Sequence, residues 1–323
     1  MKTTHVIRIC FVAMSFSILL ACKKDNAKND TPATTELQTS SDDQTMSSNE
    51  DDALSNDISA SLESNTSYAR VFADPNIRSD ASMRVDGNSP VCDATLSYDT
   101  TGDTKKITIT YNGSNCWGGR SRSGSVIVSE PKGVHWNDVG ATVTITIQNL
   151  TITRVADGKS MVINGVKKIT NISGGLLIYI TNHGPIAHDI SDSLTIACDK
   201  GAVRTWNVSK HRLFVYDSGI KLTTTGTHSD GTHDDIAEWG TNRFGVSYSC
   251  RITVPKVISQ NCGFRLIKGQ DTFTRGDNFA AVVTYGLDAS GNALTTCATE
   301  NFYAQAAWTY IPTGKTGSFL FKY

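Results

Sequence analysis

The 323-residue chain lacks most of the local signatures by which enzymes and metal proteins are recognised. It contains no Gly-x-Ser-x-Gly segment, and none of its eight cysteines is spaced Cys-x-x-Cys. The first absence removes the strand-to-helix elbow of a serine hydrolase, and the second disfavours a zinc ribbon or a thioredoxin-type redox site. Glutamate is also scarce after residue 75, where only Glu130, Glu238 and Glu300 occur. Few carboxylates are therefore available to form the pair that glycoside hydrolysis requires.

Two further absences concern charge and membrane insertion. No cluster of Lys and Arg occurs and the formal net charge is -1, so the chain lacks the concentrated positive face of nucleic-acid-binding proteins. Acidic residues are instead concentrated near the N-terminus, where residues 23–74 hold 4 basic and 11 acidic side chains. Beyond the first residues no apolar run approaches the length of a membrane span, so integral insertion is not expected.

The N-terminus has the pattern of an export signal. Lys2 and Arg8 flank the start of an apolar segment that is short for a bilayer span and typical of a cleaved signal peptide over residues 1–21. The segment ends in Leu19-Leu20-Ala21-Cys22, which resembles the lipobox of bacterial lipoproteins. This resemblance implies acylation of Cys22 and a lipid-anchored location in the bacterial envelope, at the outer membrane.

Residues 22–75 are rich in Ser, Thr, Asp, Asn and Ala and poor in aromatic side chains. Such a segment is too polar and acidic to collapse by itself, which predicts a flexible tether. Within it Leu54, Ile58 and Leu62 recur at intervals of four after three acidic residues, and this spacing favours one short helix over residues 50–64. The helix would be marginal alone and stabilised by docking onto the domain that follows.

Residues 76–323 show the alternation of apolar and polar side chains that half-buried β-strands produce. Clear examples are residues 107–111, 143–147 and 244–254. Long amphipathic helical stretches are missing from this region, so alternating β-α units are disfavoured. We expect an antiparallel all-β domain, either a β-sandwich or a β-roll. Predicted turns lie at residues 101–103, 112–113, 157–158, 164–165, 230–231 and 288–292.

Six cysteines remain when Cys10 of the signal and Cys22 are set aside. An even number suits disulfide formation in an oxidising compartment. Sequence proximity suggests the pairs Cys92 with Cys116 and Cys262 with Cys297. Cys198 and Cys250 fall in the inward register of predicted strands, where they are either bridged or simply buried.

Two segments share a sequence pattern and contain residues suited to contacting a ligand. Residues 117–124 and 239–245 both read Trp-Gly, a short spacer and Arg-x-Gly. The shared pattern is compatible with chance or with duplication of one β unit. Under duplication, two related halves would meet near residues 185–195. Exposed Trp can hold sugar rings or partner side chains, and Arg adds directional hydrogen bonds, although packing is the commoner role. The ligand-binding candidates are Trp117, Arg122, Trp136, Trp239 and Arg243.

Metal and hydrolytic chemistry are the remaining alternatives. Residues 227–235 hold two imidazoles and three carboxylates, which are ligand types that Zn²⁺ or another divalent ion accepts. Their spacing matches no defined zinc motif, so a solvated loop is the favoured interpretation. Glu238 has an apolar neighbour that could raise its pKa as a catalytic acid requires, but a structural role is favoured for it too. The metal-ligand candidates are His228, Asp230, His233 and Asp234.

Several tracts resemble a group of uncharacterised Bacteroidota lipoproteins. They are ITITYNGSNCWGGRSRSGSVIV at 107–128, NGVKKITN at 164–171, RTW at 204–206 and GTNRFGVSYSCRITV at 240–254. The resemblance covers most of residues 90–300 and implies a β-rich secreted domain on a lipid anchor, without catalytic residues. Lys23-Lys24-Asp25 also resembles the charged signal of surface-exposed lipoproteins in that phylum.

These observations together predict a lipid-anchored envelope protein. Its β domain would be displayed for binding, adhesion or structural assembly, with a glycan or a protein as ligand and with no nucleic-acid partner. No resident cofactor is expected, apart from the divalent metal considered above. A secreted hydrolase whose site the sequence does not expose is the alternative.

Overall fold

A computed structural model describes residues 34–65, 67–68, 90–114, 118–298 and 301–323. Within these residues a long helix precedes fourteen β-strands, and a short helix lies between the fifth and sixth strands. The elements are α1 Thr34–Glu63, β1 Ala94–Asp99, β2 Thr104–Ser114, β3 Arg120–Pro131, β4 Ala141–Arg154, β5 Ser160–Asn171, α2 Ile180–His183, β6 Ile186–Cys198, β7 Val203–Tyr216, β8 Ile220–Gly226, β9 Ile236–Thr241, β10 Ser247–Ser259, β11 Arg265–Arg275, β12 Phe279–Leu287, β13 Tyr303–Tyr310 and β14 Lys315–Lys322.

All fourteen strands belong to one antiparallel sheet. Each strand from β1 to β8 pairs with the next along the chain, and the same holds from β10 to β14. β9 pairs with one end of β7 and with β10, while β8 pairs with the other end of β7 and with β10. The prediction of an antiparallel all-β domain is confirmed. Residues 185–195 lie almost wholly within β6, which is hydrogen-bonded to β5 and β7, so the sheet is continuous there.

Alternating side chains explain why these segments form strands. In β6 Ile190, Leu194 and Ile196 are buried, whereas Ser191 and Ser193 between them are exposed. Successive side chains of a strand point to opposite faces, so this pattern gives the sheet one packed face and one solvated face.

Two of the predicted turns are wrong. Asn112-Gly113 and Asn164-Gly165 lie inside β2 and β5. Gly165 has φ 139°, and a Cβ atom there would lie 2.3 Å from the carbonyl oxygen of Ser193 on β6. The glycine therefore serves a close approach of two strands rather than a reversal of the chain. The other four predicted turns do lie between strands.

The largest correction concerns the acidic N-terminal segment. Residues 34–63 form the 30-residue helix α1, so a flexible tether is the wrong description of this part. Leu54, Ile58 and Leu62 are buried in the main hydrophobic core, as their spacing predicts. The helix extends well before residue 50 because basic side chains of the sheet neutralise its acidic residues. The parts of the predicted tether at residues 22–33 and 69–75, and Cys22 itself, lie outside the described residues.

The sheet curves around α1. Glu50 contacts Arg120 of β3, and the next residue, Asp51, contacts Lys210 of β7. β3 and β7 are four strand spacings apart in the sheet, or roughly 19 Å at about 4.8 Å per spacing, whereas a helix is only about 10–12 Å wide. Side chains from strands this far apart converge on adjacent residues of the helix, so the sheet curves around α1, which occupies its concave face.

The cysteines fall into two groups. Cys262 and Cys297 form a disulfide, as predicted, and it connects the turn after β10 to the segment before β13. Cys92 is also disulfide-bonded; its predicted partner, Cys116, lies outside the described residues. Cys198 and Cys250 are buried free thiols, which resolves the alternative left open for them. Among the described helices none has the length and apolar character needed to cross a membrane.

Candidate functional site

The concave face of the sheet, which we call the inner groove, is a cationic surface filled by an acidic helix. Seven carboxylates of α1 form ion pairs with basic side chains of the sheet and its connections. The acidic partners are Glu36, Asp42, Asp43, Glu50, Asp51, Asp52 and Asp57, and the basic partners are Arg120, Arg122, Arg154, Lys159, Lys167, Lys210, Arg212, Arg243 and Arg275.

The N-terminal half of α1 is held chiefly by ion pairs between its carboxylates and basic side chains of the sheet and its connections. Asp42 accepts two hydrogen bonds from Arg154, at 2.7 and 2.9 Å, and contacts Lys159. Asp43 accepts two from Arg243, at 2.5 and 2.6 Å, and also contacts Lys159. Partial burial would raise the pKa of Asp42, but the hydrogen bonds from Arg154 and Lys159 outweigh it and hold that pKa below its usual value. Two-point contacts of this kind fix orientation as well as charge.

Glu238 lies in the centre of the inner groove. Its carboxylate accepts hydrogen bonds from Ser48 and Gln44 of α1 and from the indole of Trp206, and it forms an ion pair with Lys210 at 2.7 Å. Burial alone would raise the pKa of Glu238, but the charges of Lys210 and Lys256 and the hydrogen bonds from Lys210 and Ser48 together outweigh burial and lower it. The carboxylate is thus a fully engaged anion, unlike the raised-pKa acid that its apolar neighbour suggested.

Lys167 bridges two buried carboxylates from different parts of the chain. Its ammonium group contacts Asp51 of α1 and lies 2.9 Å from Asp192 of β6. All three side chains are 0–1% exposed. Burial, followed by the neighbouring Asp51, raises the pKa of Asp192 well above its usual range, because two adjacent carboxylates resist sharing one site as anions.

The C-terminal half of α1 combines apolar packing with further polar anchors. Arg122 donates to Asp57 of α1 at 2.7 Å and to both carboxylate oxygens of Asp93. Glu63 caps the connection that precedes α2, because its two oxygens accept the backbone N–H groups of Leu177 and Ile178 at 3.0 and 3.2 Å. Burial raises the pKa of Glu63 to about 7 in spite of these two bonds.

Some cationic nitrogens in the groove remain without a hydrogen-bond acceptor. They are Nε of Arg204, Nε of Arg212 and Nη1 of Arg275, and the three residues are only 2–5% exposed. An unsatisfied buried donor costs about 1–3 kcal/mol. The helix therefore neutralises the groove without using all of its hydrogen-bonding capacity. Near the helix N-terminus a cleft of about 380 Å³ opens beside Asp42, Lys159 and Arg243.

The structure separates the predicted ligand-binding residues. Trp136 is 0% exposed and packs on His188 with ring centroids 5.0 Å apart, so it is a core residue and the surface prediction is wrong for it. Arg122 and Arg243 have side chains 4% and 8% exposed and are held by carboxylates of α1, so they too do not face solvent. Trp117 lies outside the described residues.

Of the predicted ligand-binding residues that the structure describes, Trp239 lies on the outer face of the sheet. It alternates with the buried Glu238, so its indole points away from the groove. The imidazole of His228 stacks on the indole with centroids 4.0 Å apart and planes 13° apart. Asn207 of β7 and Ser249 of β10 are its neighbours across the strands. Arg251 follows Ser249 by two residues in β10 and therefore shares its face of the sheet. We call Trp239, His228, Asn207, Ser249 and Arg251 the outer aromatic patch.

The predicted metal ligands are not gathered around one point. His228 stacks on Trp239, whereas Asp230 accepts the backbone N–H groups of Thr232 and His233 at 2.8 Å and lies 3.7 Å from the imidazole of His233. The backbone carbonyl of Asp234 accepts a hydrogen bond from Arg251. In the part of the chain that the structure describes, no group of three or more His, Cys, Asp or Glu side chains is arranged to hold a metal ion.

Sequence reasoning overlooked the acidic residues that enter the groove, although a signal for them existed. Glu36, Asp43, Glu50 and Asp57 are spaced by seven residues, which is two helical turns, and therefore lie on one face of α1. In the structure they contact Arg275, Arg243, Arg120 and Arg122 respectively. An acidic residue at every seventh position indicates a helix that binds a cationic surface.

Comparison with known proteins adds no relative from which a function could be transferred. No protein-family model matches the chain, and neither a curated protein nor a solved structure matches it.

Proposed function

We propose that this protein is a lipid-anchored component of a bacterial envelope that binds a ligand through the outer face of its β domain. The observation that carries the binding part is the outer aromatic patch. A stacked indole and imidazole provide an apolar platform, and the neighbouring amide, hydroxyl and guanidinium groups provide directional hydrogen bonds. This combination suits a sugar ring, which has an apolar face and a rim of hydroxyl groups.

The surroundings of the patch support the same ligand class. Hydroxyl groups pair across strands on this outer face: Thr205 with Thr241 at 2.9 Å and Ser249 with Thr274 at 2.7 Å. A surface rich in hydroxyl groups offers a ligand exchangeable hydrogen bonds at little desolvation cost. The inner groove, by contrast, is occupied by α1.

Glycan-array binding of the purified protein tests the recognition site. Trp239→Ala should reduce binding at least tenfold, whereas Tyr216→Ala, which removes an aromatic residue 49% exposed elsewhere on the surface, should leave binding unchanged. Equal urea midpoints for the two variants would establish that the fold is intact. Unchanged binding by a folded Trp239→Ala variant, or by His228→Ala, would refute the assignment of the patch.

The lipid anchor is tested separately. Cys22→Ser should abolish acylation and release the protein from membranes, whereas Cys10→Ser, a matched change inside the predicted signal, should leave both unaffected. Continued membrane retention of the Cys22→Ser variant would refute the anchor.

A further inference from the structure

We propose that the inner groove is a recognition site for acidic helical polypeptides, and that the N-terminal half of α1, residues 36–52, occupies it reversibly. A partner of this class would carry a carboxylate at every seventh residue of a helix and would replace this half of α1 in the groove. The inference is independent of the outer aromatic patch and of the lipid anchor.

The composition of α1 indicates a segment that folds only when it is docked. Ser, Thr, Asp and Asn make up 18 of its 30 residues, and all four residue types favour helix interiors less than Ala, Leu or Glu. Several of its serines bond back to the helix: the hydroxyls of Ser47 and Ser55 donate to the carbonyls of Asp43 and Asp51, a contact that slightly destabilises helices. The helical state of α1 therefore depends on the groove.

The two halves of α1 are held differently. In the C-terminal half Leu54, Ile58 and Leu62 are at most 4% exposed and belong to the main core. In residues 36–52 the only buried apolar residue among the described side chains is Met46. Polar contacts hold the rest of this half, and the carboxylate of Asp42 is more than a third exposed. Displacing the first half would thus withdraw only Met46 from the apolar core among the described side chains.

The inner groove recognises the spacing of carboxylates along a helix as well as their charge. The carboxylates of Glu36, Asp43 and Glu50 recur about 10.5 Å apart along the helix axis, as seven residues of an α-helix require. Each meets an arginine, namely Arg275, Arg243 and Arg120. Arginine binds carboxylates in a fixed fork geometry. This fixed spacing favours a polypeptide helix over a flexible polysaccharide as the occupant.

The groove also retains capacity that α1 does not use. Nε of Arg204 and Nη1 of Arg275 are buried and without acceptors, and both residues lie against residues 36–48 of α1. A partner helix with a further carboxylate within reach of Nη1 of Arg275 would satisfy a donor that α1 leaves unpaired. Charge-assisted hydrogen bonds are roughly twice as strong as neutral ones, so a foreign helix could compete with the chain's own segment.

A peptide-exchange measurement on the full chain tests the proposal. The probe is a fluorescent synthetic peptide of residues 34–52, and binding is followed by anisotropy at low ionic strength. We expect the wild-type peptide to bind, and a peptide with Glu36→Gln, Asp43→Asn and Glu50→Gln to bind at least tenfold more weakly. A peptide with only Asp52→Asn is the matched control, because Asp52 lies outside the seven-residue series and 3.9 Å from Arg212.

A locked protein makes the test decisive. Ser47 of α1 and the free Cys198 of β6 line the same cavity of about 10 Å³, so Ser47→Cys places a second thiol on that cavity, and a short bifunctional thiol reagent that joins the two sulfurs would hold α1 in place. Mass spectrometry would verify the crosslink, and the locked protein should lose at least tenfold in peptide binding while Ser47→Ala retains it. Equal binding by the locked and unlocked proteins, or no binding of any peptide, would overturn the proposal. Displacement of α1 by a polyuronate but not by the peptide would overturn the polypeptide class.

Discussion

Replacing the buried Lys167 gives the sharpest test of how α1 is held. Lys167→Met keeps the length of the side chain but removes the cation between Asp51 and Asp192, all of which are 0–1% exposed. Breaking a buried pair by removing one partner typically costs 3–5 kcal/mol, because the remaining charge is buried without compensation. We expect a loss of about 3 kcal/mol in the free energy of unfolding at pH 7, the low end of this range, because Lys210 still lies 3.5 Å from Asp51.

The neighbouring residue supplies a matched control. Lys168 is adjacent in β5 but exposed on the opposite face, so Lys168→Met should change the free energy of unfolding by no more than about 0.5 kcal/mol. Urea unfolding followed by tryptophan fluorescence measures both values. The deficit of Lys167→Met should shrink at pH 4, because the unpaired carboxylates can then take up protons. Equal stability of the two variants at pH 7 would refute the claim that Lys167 organises this interface.

Three further predictions concern titration, backbone geometry and the disulfide. Burial raises the pKa of Glu63 from 4.5 to about 7, so the folded state binds the Glu63 proton more tightly than the unfolded state does. The stabilisation that this protonation gives is complete below pH 4.5. About 3 kcal/mol of it is lost as the pH rises through 7. Urea midpoints at pH 5 and pH 8 should show a smaller drop for Glu63→Gln than for the wild type. Gly240→Ala should destabilise the fold by more than Gly113→Ala, and thermal unfolding of the two variants compares them. Both glycines have positive φ, but only at Gly240 would the new Cβ atom lie 2.2 Å from a carbonyl oxygen, that of Thr205. Cys297→Ser should lower the free energy of unfolding by about 4 kcal/mol, because the disulfide closes a loop with a sequence separation of 35, and equal stability with and without reductant would contradict this.

The strands and the pairing of Cys262 with Cys297 could be predicted from the sequence because both depend on local order. Alternating side chains report directly which face of a strand is buried. The Asn-Gly pair inside β5 shows where local reasoning fails, because Gly165 accommodates a neighbouring strand that is distant in sequence. Local pattern cannot distinguish that role from a turn.

The helix and the inner groove could not be predicted because their stability depends on contacts that are distant in sequence. Asp43 and Arg243 are separated by 200 residues, and without Arg243 the acidic segment has the composition of a disordered one. Long-range ion pairs of the same kind bury Arg122 and Arg243, which the sequence pattern placed at the surface. Trp136 was misplaced because a tryptophan beside turn residues can point to either face of a sheet.

Hydrogen exchange along α1 of the full chain tests most directly whether its first half occupies the groove reversibly. Amide groups that open by local unfolding exchange with a lower free energy than those that require global unfolding. We predict that residues 36–52 exchange through a local opening that 0.5 M NaCl accelerates, while residues 54–63 exchange only with global unfolding. Uniform protection of the whole helix at the global free energy, with no effect of salt, would contradict the displaceable helix.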